Sequence, residues 1–206
     1  MATAKTGTDP SRERWNTRWA GERAQASTEP SAFLVAEVAA LPPGRALDVA
    51  CGAGRNAVWL ARRGWRVTAF DFSEVALRAA RELAIASDVS VEWLEEDAVA
   101  WTPPARAFDL VTVLYLQLPA AERRVALARA AAAVRPGGTL LVLGHDLLNL
   151  SAGAGGPSQA DVLMTPDDVV AEIGDLVVER AERVRRPVAG AERAAVDTLV
   201  RARRRA

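Results

Sequence analysis

Three aspartates and a glycine-containing loop could together bind a ligand, because each lies at the end of a short apolar stretch typical of a strand. Asp48 is followed by Cys51-Gly52-Ala53-Gly54, Asp71 ends the second stretch, and Asp97 comes just after the third. Glycines let the backbone turn sharply and let a ligand come close. Carboxylates accept hydrogen bonds from hydroxyl and amino groups and attract positive charge. The pattern predicts a site for a nucleoside-bearing ligand.

The first two aspartates indicate which nucleoside-bearing ligand to expect. A carboxylate at the position of Asp71 can accept both ribose hydroxyls, as nicotinamide and S-adenosylmethionine (SAM) enzymes both require. The pattern Gly52-x-Gly54-x-x-Ala57 also fits either cofactor. Asp48 separates them, because it would repel the pyrophosphate of a dinucleotide but attract the ammonium and sulfonium of SAM. We therefore expect SAM, with S-adenosylhomocysteine as product, and keep a nicotinamide-dependent oxidoreductase as the alternative.

Asp97 and Ala98 are expected to bind the adenine. The carboxylate can accept the adenine amino group while a neighbouring backbone N–H donates to a ring nitrogen. The alternative is an ordinary helix N-cap or loop aspartate.

The elements that position these residues alternate between strand and helix. Hydrophobic periodicity and turn residues predict strands at Arg45–Ala50, Trp65–Phe70, Val89–Leu94, Phe108–Leu116 and Thr139–Gly144, and helices at Ser31–Leu41, Gly54–Arg63, Glu74–Ala86 and Pro119–Val134. Pro136-Gly137-Gly138 is predicted to form a turn, and Leu176–Val184 with Ala195–Ala202 an antiparallel hairpin. The expected fold is α/β and Rossmann-like: a doubly wound, mostly parallel sheet of about seven strands with helices on both faces.

One domain over residues 1–206 accounts for this pattern. Residues 1–12 are polar and expected to be disordered, and residues 13–30 are expected to form an N-terminal cap segment that carries Trp15 and Trp19. The long irregular stretch 147–165 is rich in glycine, which suits a loop beside the acceptor site.

The run from Arg45 to Asn56 resembles the first motif of the class I SAM-dependent methyltransferases. Val67–Ser73, Glu95–Ala98, Phe108–Leu116 and Val134–Gly138 resemble the later motifs, in order. The resemblance covers about residues 30–145. Gly52-x-Gly54-Arg55-Asn56, with the two upstream tryptophans, also resembles the tellurite-resistance and thiopurine methyltransferase branch.

The resemblance implies a role for each matching residue. Gly52 and Gly54 would lie beside the methionine moiety, whose carboxylate would pair with Arg55; a surface-helix role for this arginine is the alternative. Phe72 would pack on the adenine, and Leu114 would flank the sulfonium. Further cofactor contacts are expected from Ala50, Cys51, Asn56 and Ser73.

The acceptor side is less defined by the sequence. His145 and Tyr115 are candidate catalytic residues, because a histidine at a strand end can act as a base and Tyr115 would face the acceptor; a hydrogen-bonded structural histidine is the alternative. Asp146, Trp15 and Trp19 are further acceptor-side candidates. The methylated atom stays open between nitrogen, oxygen, sulfur and a chalcogen oxyanion. A SAM-binding protein with little catalytic activity is a further alternative.

Composition narrows the classes of partner. The 206 residues carry 26 basic and 26 acidic side chains, so a nucleic-acid substrate is not expected, and a small-molecule acceptor is. The only cysteine, Cys51, fits a reducing compartment, and one histidine with one cysteine cannot supply a usual zinc site. Neither a signal sequence nor an apolar run of membrane-spanning length is evident, so we expect the cytoplasm.

Overall fold

A computed structural model describes residues 10–21 and 27–206, in which seven strands form one sheet. The strands are β1 (Arg45–Val49), β2 (Arg66–Asp71), β3 (Glu92–Glu95), β4 (Phe108–Leu114), β5 (Val134–His145), β6 (Val177–Arg186) and β7 (Ala195–Arg203). The α-helices are α1 (Pro10–Ala20), α2 (Ala32–Val38), α3 (Arg55–Arg62), α4 (Glu74–Ala86), α5 (Ala120–Ala133), α6 (Asn149–Ala152) and α7 (Pro166–Glu172).

The strand order across the sheet is β3-β2-β1-β4-β5-β7-β6. The first five strands are parallel, and β7 runs antiparallel between β5 and β6. This confirms the predicted α/β fold with its antiparallel final hairpin. The chain moves outward from β1 to β3 and then resumes on the other side at β4, so the switch point lies between β1 and β4. Ligands of open α/β sheets bind at the carboxyl ends of strands beside such a point.

Apolar residues of the central strands explain why both faces of the sheet are covered. In β4, Phe108, Leu110, Val111 and Val113 are all buried, although successive side chains point to opposite faces. Strands buried on both faces are typical of parallel sheets between helix layers.

The predicted turn at Pro136-Gly137-Gly138 is wrong as an element boundary, because β5 runs through it. Val134 pairs with Phe108, but the next pair in the ladder joins Thr139 to Leu110, so β5 carries extra residues there. Gly137 has a φ of 75°, a conformation that suits such a bulge. Proline and glycine therefore mark an irregularity inside the strand.

The stretch 147–165 is more ordered than its composition predicts. It contains α6 and a 3-10 turn at Ala160–Val162. The Asn149 side chain donates to the carbonyl of Gly155 and accepts from the N–H of Val196, which ties the stretch to β7. Helix α7 follows, although the sequence analysis did not predict it, and it begins with a capping box between Thr165 and Asp168.

Helix α1 begins at Pro10, inside the segment that was expected to be disordered. The rest of that segment, residues 1–9, lies outside the described residues, as do residues 22–26 of the expected cap segment. Among the helices that are described, none is long and apolar enough to cross a membrane.

Candidate active site

Two adjoining cavities open at the carboxyl ends of the central strands. The larger has a volume of about 490 Å³ and the smaller about 240 Å³. Both cavities are lined by Ala50, Asp71, Phe72, Leu116 and Leu118. A ligand longer than either cavity can therefore occupy both, and the shared residues would contact its middle.

The two glycines of the first loop have different surroundings. Gly52 lines the larger cavity with a φ of 55°, and a Cβ there would lie 2.6 Å from the Trp19 ring. Gly54, with a φ of 77°, is the residue before α3, and its Cβ would lie 2.6 Å from the Trp93 ring and 2.8 Å from the Ala80 Cβ. Gly52 thus forms part of the cavity wall, where a ligand could contact it, whereas Gly54 allows close packing behind the loop.

Asp71 holds the first loop and the end of β2 together. One carboxylate oxygen accepts from the N–H of Gly52 and the other from the N–H of Ser73, both at 2.9 Å. Burial raises the pKa of Asp71, although these two backbone hydrogen bonds oppose the rise. Each oxygen has a second lone pair, so the carboxylate can still accept ligand hydroxyls.

Asp48 lies beneath the loop and does not line either cavity. Its side chain accepts from the Thr112 hydroxyl at 2.8 Å, and its other oxygen, Oδ2, is buried without a hydrogen-bond partner. Burial raises the pKa of Asp48 to about 7, although Thr112 and the charge of Arg55 oppose the rise. A contact between Asp48 and a ligand would therefore have to be indirect.

The smaller cavity contains the residues expected to bind adenine. Asp97 and Ala98 line it together with Phe70 and Phe72. Asp97 accepts from the N–H of Val99 at 2.7 Å, which fixes the turn after β3. An aromatic ring and a carboxylate in one small cavity suit a planar base with an exocyclic amino group.

The other predicted cofactor residues divide between the cavity wall and the layer behind it. Ala50, Cys51, Arg55, Asn56 and Leu114 line the larger cavity. Asn56 also accepts from the N–H of Ser31, so it connects α3 to the segment before α2. Ser73 is fully buried, where it caps α4 by accepting from the N–H of Ala76 and donates to Asn16.

At the other end of the larger cavity, four side chains form what we term the acceptor-end network: Tyr115, His145, Arg186 and Asp197. The fully buried carboxylate of Asp197 is at the centre. His145 Nδ1 lies 3.2 Å from Oδ1, while Oδ2 accepts from the Tyr115 hydroxyl at 2.9 Å and from Arg186 Nε at 2.8 Å. The cavity is lined by His145, Tyr115 and Arg186.

The pKa shifts of Asp197 and Tyr115 indicate which of these two side chains is charged. Burial alone would raise the pKa of Asp197, but the hydrogen bonds from His145 and Arg186 outweigh it, and the pKa is lowered. Burial and the charge of Asp197 raise the pKa of Tyr115 well above its usual range. Asp197 is therefore anionic and Tyr115 a neutral hydrogen-bond donor, which makes Tyr115 unsuited to act as a base.

The sequence analysis did not identify Asp197 or Arg186. Asp197 pairs with His145 across β5 and β7, and Arg186 ends β6 on the adjacent strand. A carboxylate inside the apolar run Ala195–Val200 was the available signal, because a charge in a buried strand needs a partner. Which partner it would meet depends on the β5–β7 register, which the sequence pattern did not provide.

The predictions for the two tryptophans, for Asp146 and for the stretch 147–165 on the acceptor side have different outcomes in the structure. Trp15 and Trp19 of α1 line the larger cavity. Asp146 does not: it is fully buried, and it accepts from the Thr198 hydroxyl at 2.6 Å and Arg183 Nε at 2.9 Å. Asp146 follows the last residue of β5, His145, and its carboxylate is directed toward Thr198 and Arg183 instead of the cavity. No described residue of 147–165 lines the cavity, although Gly156 packs beside the His145 ring.

The described residues fit the expected cofactor, SAM. The Asp71 carboxylate lies where the two cavities meet, as a ribose between adenine and methionine requires. An orphaned carboxylate oxygen of Asp48 lies under the loop, where the ionised form of this side chain would place negative potential near the expected methionine end. Arg55 lines the same cavity and can pair with a carboxylate.

Comparison with known proteins finds methyltransferases among the proteins that this chain resembles. Residues 46–138 match a family model described as a methyltransferase domain. A demethylmenaquinone methyltransferase of Thermus thermophilus is 39% identical over 103 residues, which cover 49% of this chain and 47% of that protein. A ubiquinone biosynthesis O-methyltransferase of Hahella chejuensis is 36% identical over 111 residues, which cover 52% of this chain and 45% of that protein. The chain thus matches less than half the length of these relatives.

A solved structure extends the likeness in fold to most of the chain. It was determined in work on the conversion of a disulfide bond into a thioacetal group during echinomycin biosynthesis. It aligns with a TM-score of 0.75 and 23% sequence identity over 94% of this chain and 91% of that protein. The chain therefore matches the methyltransferase domain model over residues 46–138, and over most of its length it shares the fold of this solved structure.

Proposed function

We propose that the protein is a SAM-dependent methyltransferase that acts on a small-molecule acceptor. The observation that carries the proposal is the pair of adjoining cavities with Asp71 at their junction. The cofactor would lie across both, and the end of the larger cavity near His145 would hold the acceptor. The names of the two relatives, a demethylmenaquinone methyltransferase and a ubiquinone biosynthesis O-methyltransferase, support the same assignment.

The residues present would divide the work of binding and alignment. Asp71 would accept the ribose hydroxyls, Asp97 and Ala98 would bind the adenine edge, and Arg55 would pair with the methionine carboxylate. SAM supplies a methyl group on a sulfonium, which is already an excellent leaving group. The protein must then hold an acceptor atom in line with that methyl group, and alignment of this kind is worth about 7–11 kcal/mol.

The finer assignments are supported by composition. Equal numbers of acidic and basic residues favour a small molecule over a nucleic acid as acceptor. The one cysteine, which is buried and free, is compatible with a reducing compartment such as the cytoplasm. The resemblance to the tellurite-resistance and thiopurine branch stays a prediction.

Binding of S-adenosylhomocysteine measured by calorimetry tests the cofactor assignment. We expect the wild-type protein to bind it, and Asp71→Ala to weaken binding by about 1.5–3 kcal/mol, the scale of a charge-assisted hydrogen bond. Asp71→Asn keeps the shape of the side chain and one of its two backbone hydrogen bonds, so its folding should be compared with that of Asp71→Ala to separate lost ligand contacts from a disturbed loop. Asp109→Ala is the matched control, because this carboxylate also accepts a backbone N–H, from Arg45, but does not line either cavity.

Two outcomes would favour the alternatives. Tight binding of NADH with no binding of S-adenosylhomocysteine would favour a nicotinamide-dependent oxidoreductase. Tight binding of S-adenosylhomocysteine without transfer of labelled methyl groups to a panel of phenols, amines, thiols, selenite and tellurite would favour a binding protein with little catalytic activity.

A further inference from the structure

The acceptor-end network leaves one ring nitrogen of His145 available to a ligand. Among the described residues only Asp197 hydrogen-bonds the ring, at Nδ1. Because Asp197 is fully buried and anionic, the neutral ring is expected to carry its proton on Nδ1 and to present Nε2 as an acceptor. His145 lines the cavity, so Nε2 is the nitrogen that a bound molecule can meet.

Arg186 contributes a positive charge to the same network. Its Nε donates to the other oxygen of Asp197 and lies 3.1 Å from the Tyr115 hydroxyl. Its two terminal nitrogens make no hydrogen bond to the described residues, although the guanidinium carbon lies 5.5 Å from the centre of the Tyr115 ring, and the side chain lines the same cavity. A hydrogen-bond acceptor and a cation are therefore positioned by the two oxygens of a single carboxylate.

We propose that this arrangement serves an acceptor with a weakly acidic hydroxyl group, a phenol or an enol, from which His145 Nε2 takes the proton while Arg186 stabilises the oxyanion. The inference rests on the proposed methyl transfer and names its acceptor class. Asp197 is a positioning residue, because it orients His145 and does not line the cavity.

Proton and electrons balance in the step as follows. The hydroxyl proton moves to His145 Nε2 as the O–H bond breaks, and the oxygen lone pair forms the new bond to the methyl carbon. The bond between that carbon and sulfur breaks, and its electrons stay on sulfur, which becomes a neutral thioether. His145, now an imidazolium paired with Asp197, then releases the proton to solvent.

The chemistry of the other acceptors explains why a hydroxyl is favoured. A neutral amine has a free lone pair before it loses a proton, and a chalcogen oxyanion is already charged. A thiol has a pKa of about 8.5 and is partly ionised near neutral pH, whereas a phenol, with a pKa of about 10, is almost entirely protonated. Only the hydroxyl requires both a base and a nearby cation.

The protonation site of His145 can be measured without any cofactor. His145 is the only histidine in the chain, so ¹⁵N-histidine labelling gives one pair of ring signals that need no assignment. We expect the neutral form of the ring to carry its proton on Nδ1, and the population to shift toward the other tautomer in Asp197→Asn. A proton on Nε2 in the wild-type protein, or an unchanged tautomer in Asp197→Asn, would overturn the inference.

Kinetics with matched variants test the acceptor class. We expect labelled methyl transfer to phenols in preference to anilines and thiophenols of the same shape. His145→Gln should lower kcat by about 100-fold or more with little change in KM, which is the usual scale for loss of a general base. Arg186→Gln should also lower kcat, whereas Arg183→Gln should not: Arg183 also lies on β6 and donates its Nε to a buried aspartate, Asp146, but does not line the cavity.

The outcomes separate this inference from the proposed function. If the wild-type protein does not bind S-adenosylhomocysteine, the proposed function fails and the acceptor assignment fails with it. If His145→Gln binds S-adenosylhomocysteine like the wild type and still methylates phenols at the wild-type rate, only the inference is overturned. Binding of S-adenosylhomocysteine with no transfer to any phenol overturns the inference as well.

Discussion

Asp48 shows how a single buried carboxylate links the cofactor loop to the stability of the protein. It is 1% exposed, has one oxygen without a hydrogen-bond partner, and packs below a loop that lines the cavity. Ionisation at such a site is costly, because the charge loses its hydration, and the Thr112 hydroxyl at 2.8 Å and the charge of Arg55 offset only part of that loss. The cost appears as the pKa of about 7.

The raised pKa predicts how stability depends on pH. The folded protein binds the Asp48 proton more tightly than the unfolded chain, so the contribution of Asp48 to stability is fully present below about pH 4 and is lost as the pH rises through about 7. The total loss is on the order of 4 kcal/mol. Asp48→Asn should therefore be more stable than the wild type at about pH 8 and similar to it at about pH 4.

Urea unfolding of the two proteins across this range measures the effect. Asp71, whose pKa is also raised, is present in both proteins, so its own contribution largely cancels; what is left in the difference includes its repulsion of the Asp48 charge, which is one cause of the raised pKa of Asp48. Parallel stability curves for wild type and Asp48→Asn across the whole range would show that Asp48 is already ionised in the folded protein at low pH.

At the residue scale, the sequence predicted the side chains that belong to a recurrent pattern. Asp71, Asp97 and Gly52 follow strands in order, so their positions at the cavities could be predicted from the alternation of strand and helix. Asp48 and Gly54 belong to the same pattern but lie behind the cavity wall. Asp48 lies within β1 and accepts a hydrogen bond from Thr112 of the neighbouring strand, and Gly54 packs against Trp93 and Ala80. Asp197 and Arg186 are brought to the site by antiparallel register, and a shift of one residue would turn each to the opposite face.

At the scale of elements, helix α1 covers the site. Trp15 and Trp19 line the larger cavity and Ser11 the smaller. The helix is fixed by a hydrogen bond between the Ser73 hydroxyl and Asn16 at 2.6 Å and by the packing of Trp19 on Gly52. A ligand in both cavities would thus lie beneath α1.

The contact between Trp19 and Gly52 predicts the effect of adding one methyl group. In Gly52→Ala the new Cβ would lie 2.6 Å from the Trp19 ring, in a backbone conformation with positive φ. Gly174→Ala is the matched control, because its φ is also positive but no atom lies within 4 Å of the added Cβ. We expect the control to lose about 1–2 kcal/mol from backbone strain alone, and Gly52→Ala to lose more and to bind S-adenosylhomocysteine more weakly.

A double variant separates the clash from the strain. Trp19→Ala in the Gly52→Ala background removes the ring, so the free energy of unfolding should return toward that of Trp19→Ala plus the strain seen in the control. Additive losses in the double variant would mean that the ring and the added methyl group do not meet, and that α1 lies further from the loop.

Element boundaries could be predicted well where one physical signal dominates. Helix α4 has the predicted bounds Glu74–Ala86, because Ser73 caps it and its apolar residues keep helical spacing. Helix α7 was not predicted, because it is short and follows a glycine-rich stretch that favoured a loop. Its position depends on a distant contact: Arg123 of α5 pairs with the buried Glu172 at 3.0 Å, which no local pattern reports.

At the scale of the whole molecule, the cavities are assembled from distant parts of the chain. Their walls come from α1, the loops after β1 and β2, the ends of β4 and β5, and Arg186 at the end of β6. Unfolding any of these parts removes part of the site. A ligand that fills the cavities binds the folded state only, so its binding energy adds to the stability of the entire fold.

The expected result is a concentration-dependent rise in Tm with S-adenosylhomocysteine. At about 100 times its Kd, the ligand adds about 2.7 kcal/mol, which for a chain of this size raises Tm by roughly 5–10 °C. The increase should be smaller in Asp71→Ala at the same concentration, because that variant binds more weakly, and NADH should give none, because the proposed cofactor is SAM. Fluorescence and circular dichroism should report the same shift if the cavities depend on the fold as one unit. A rise in Tm with NADH, or a shift seen by one probe alone, would contradict this account of how ligand and fold are coupled.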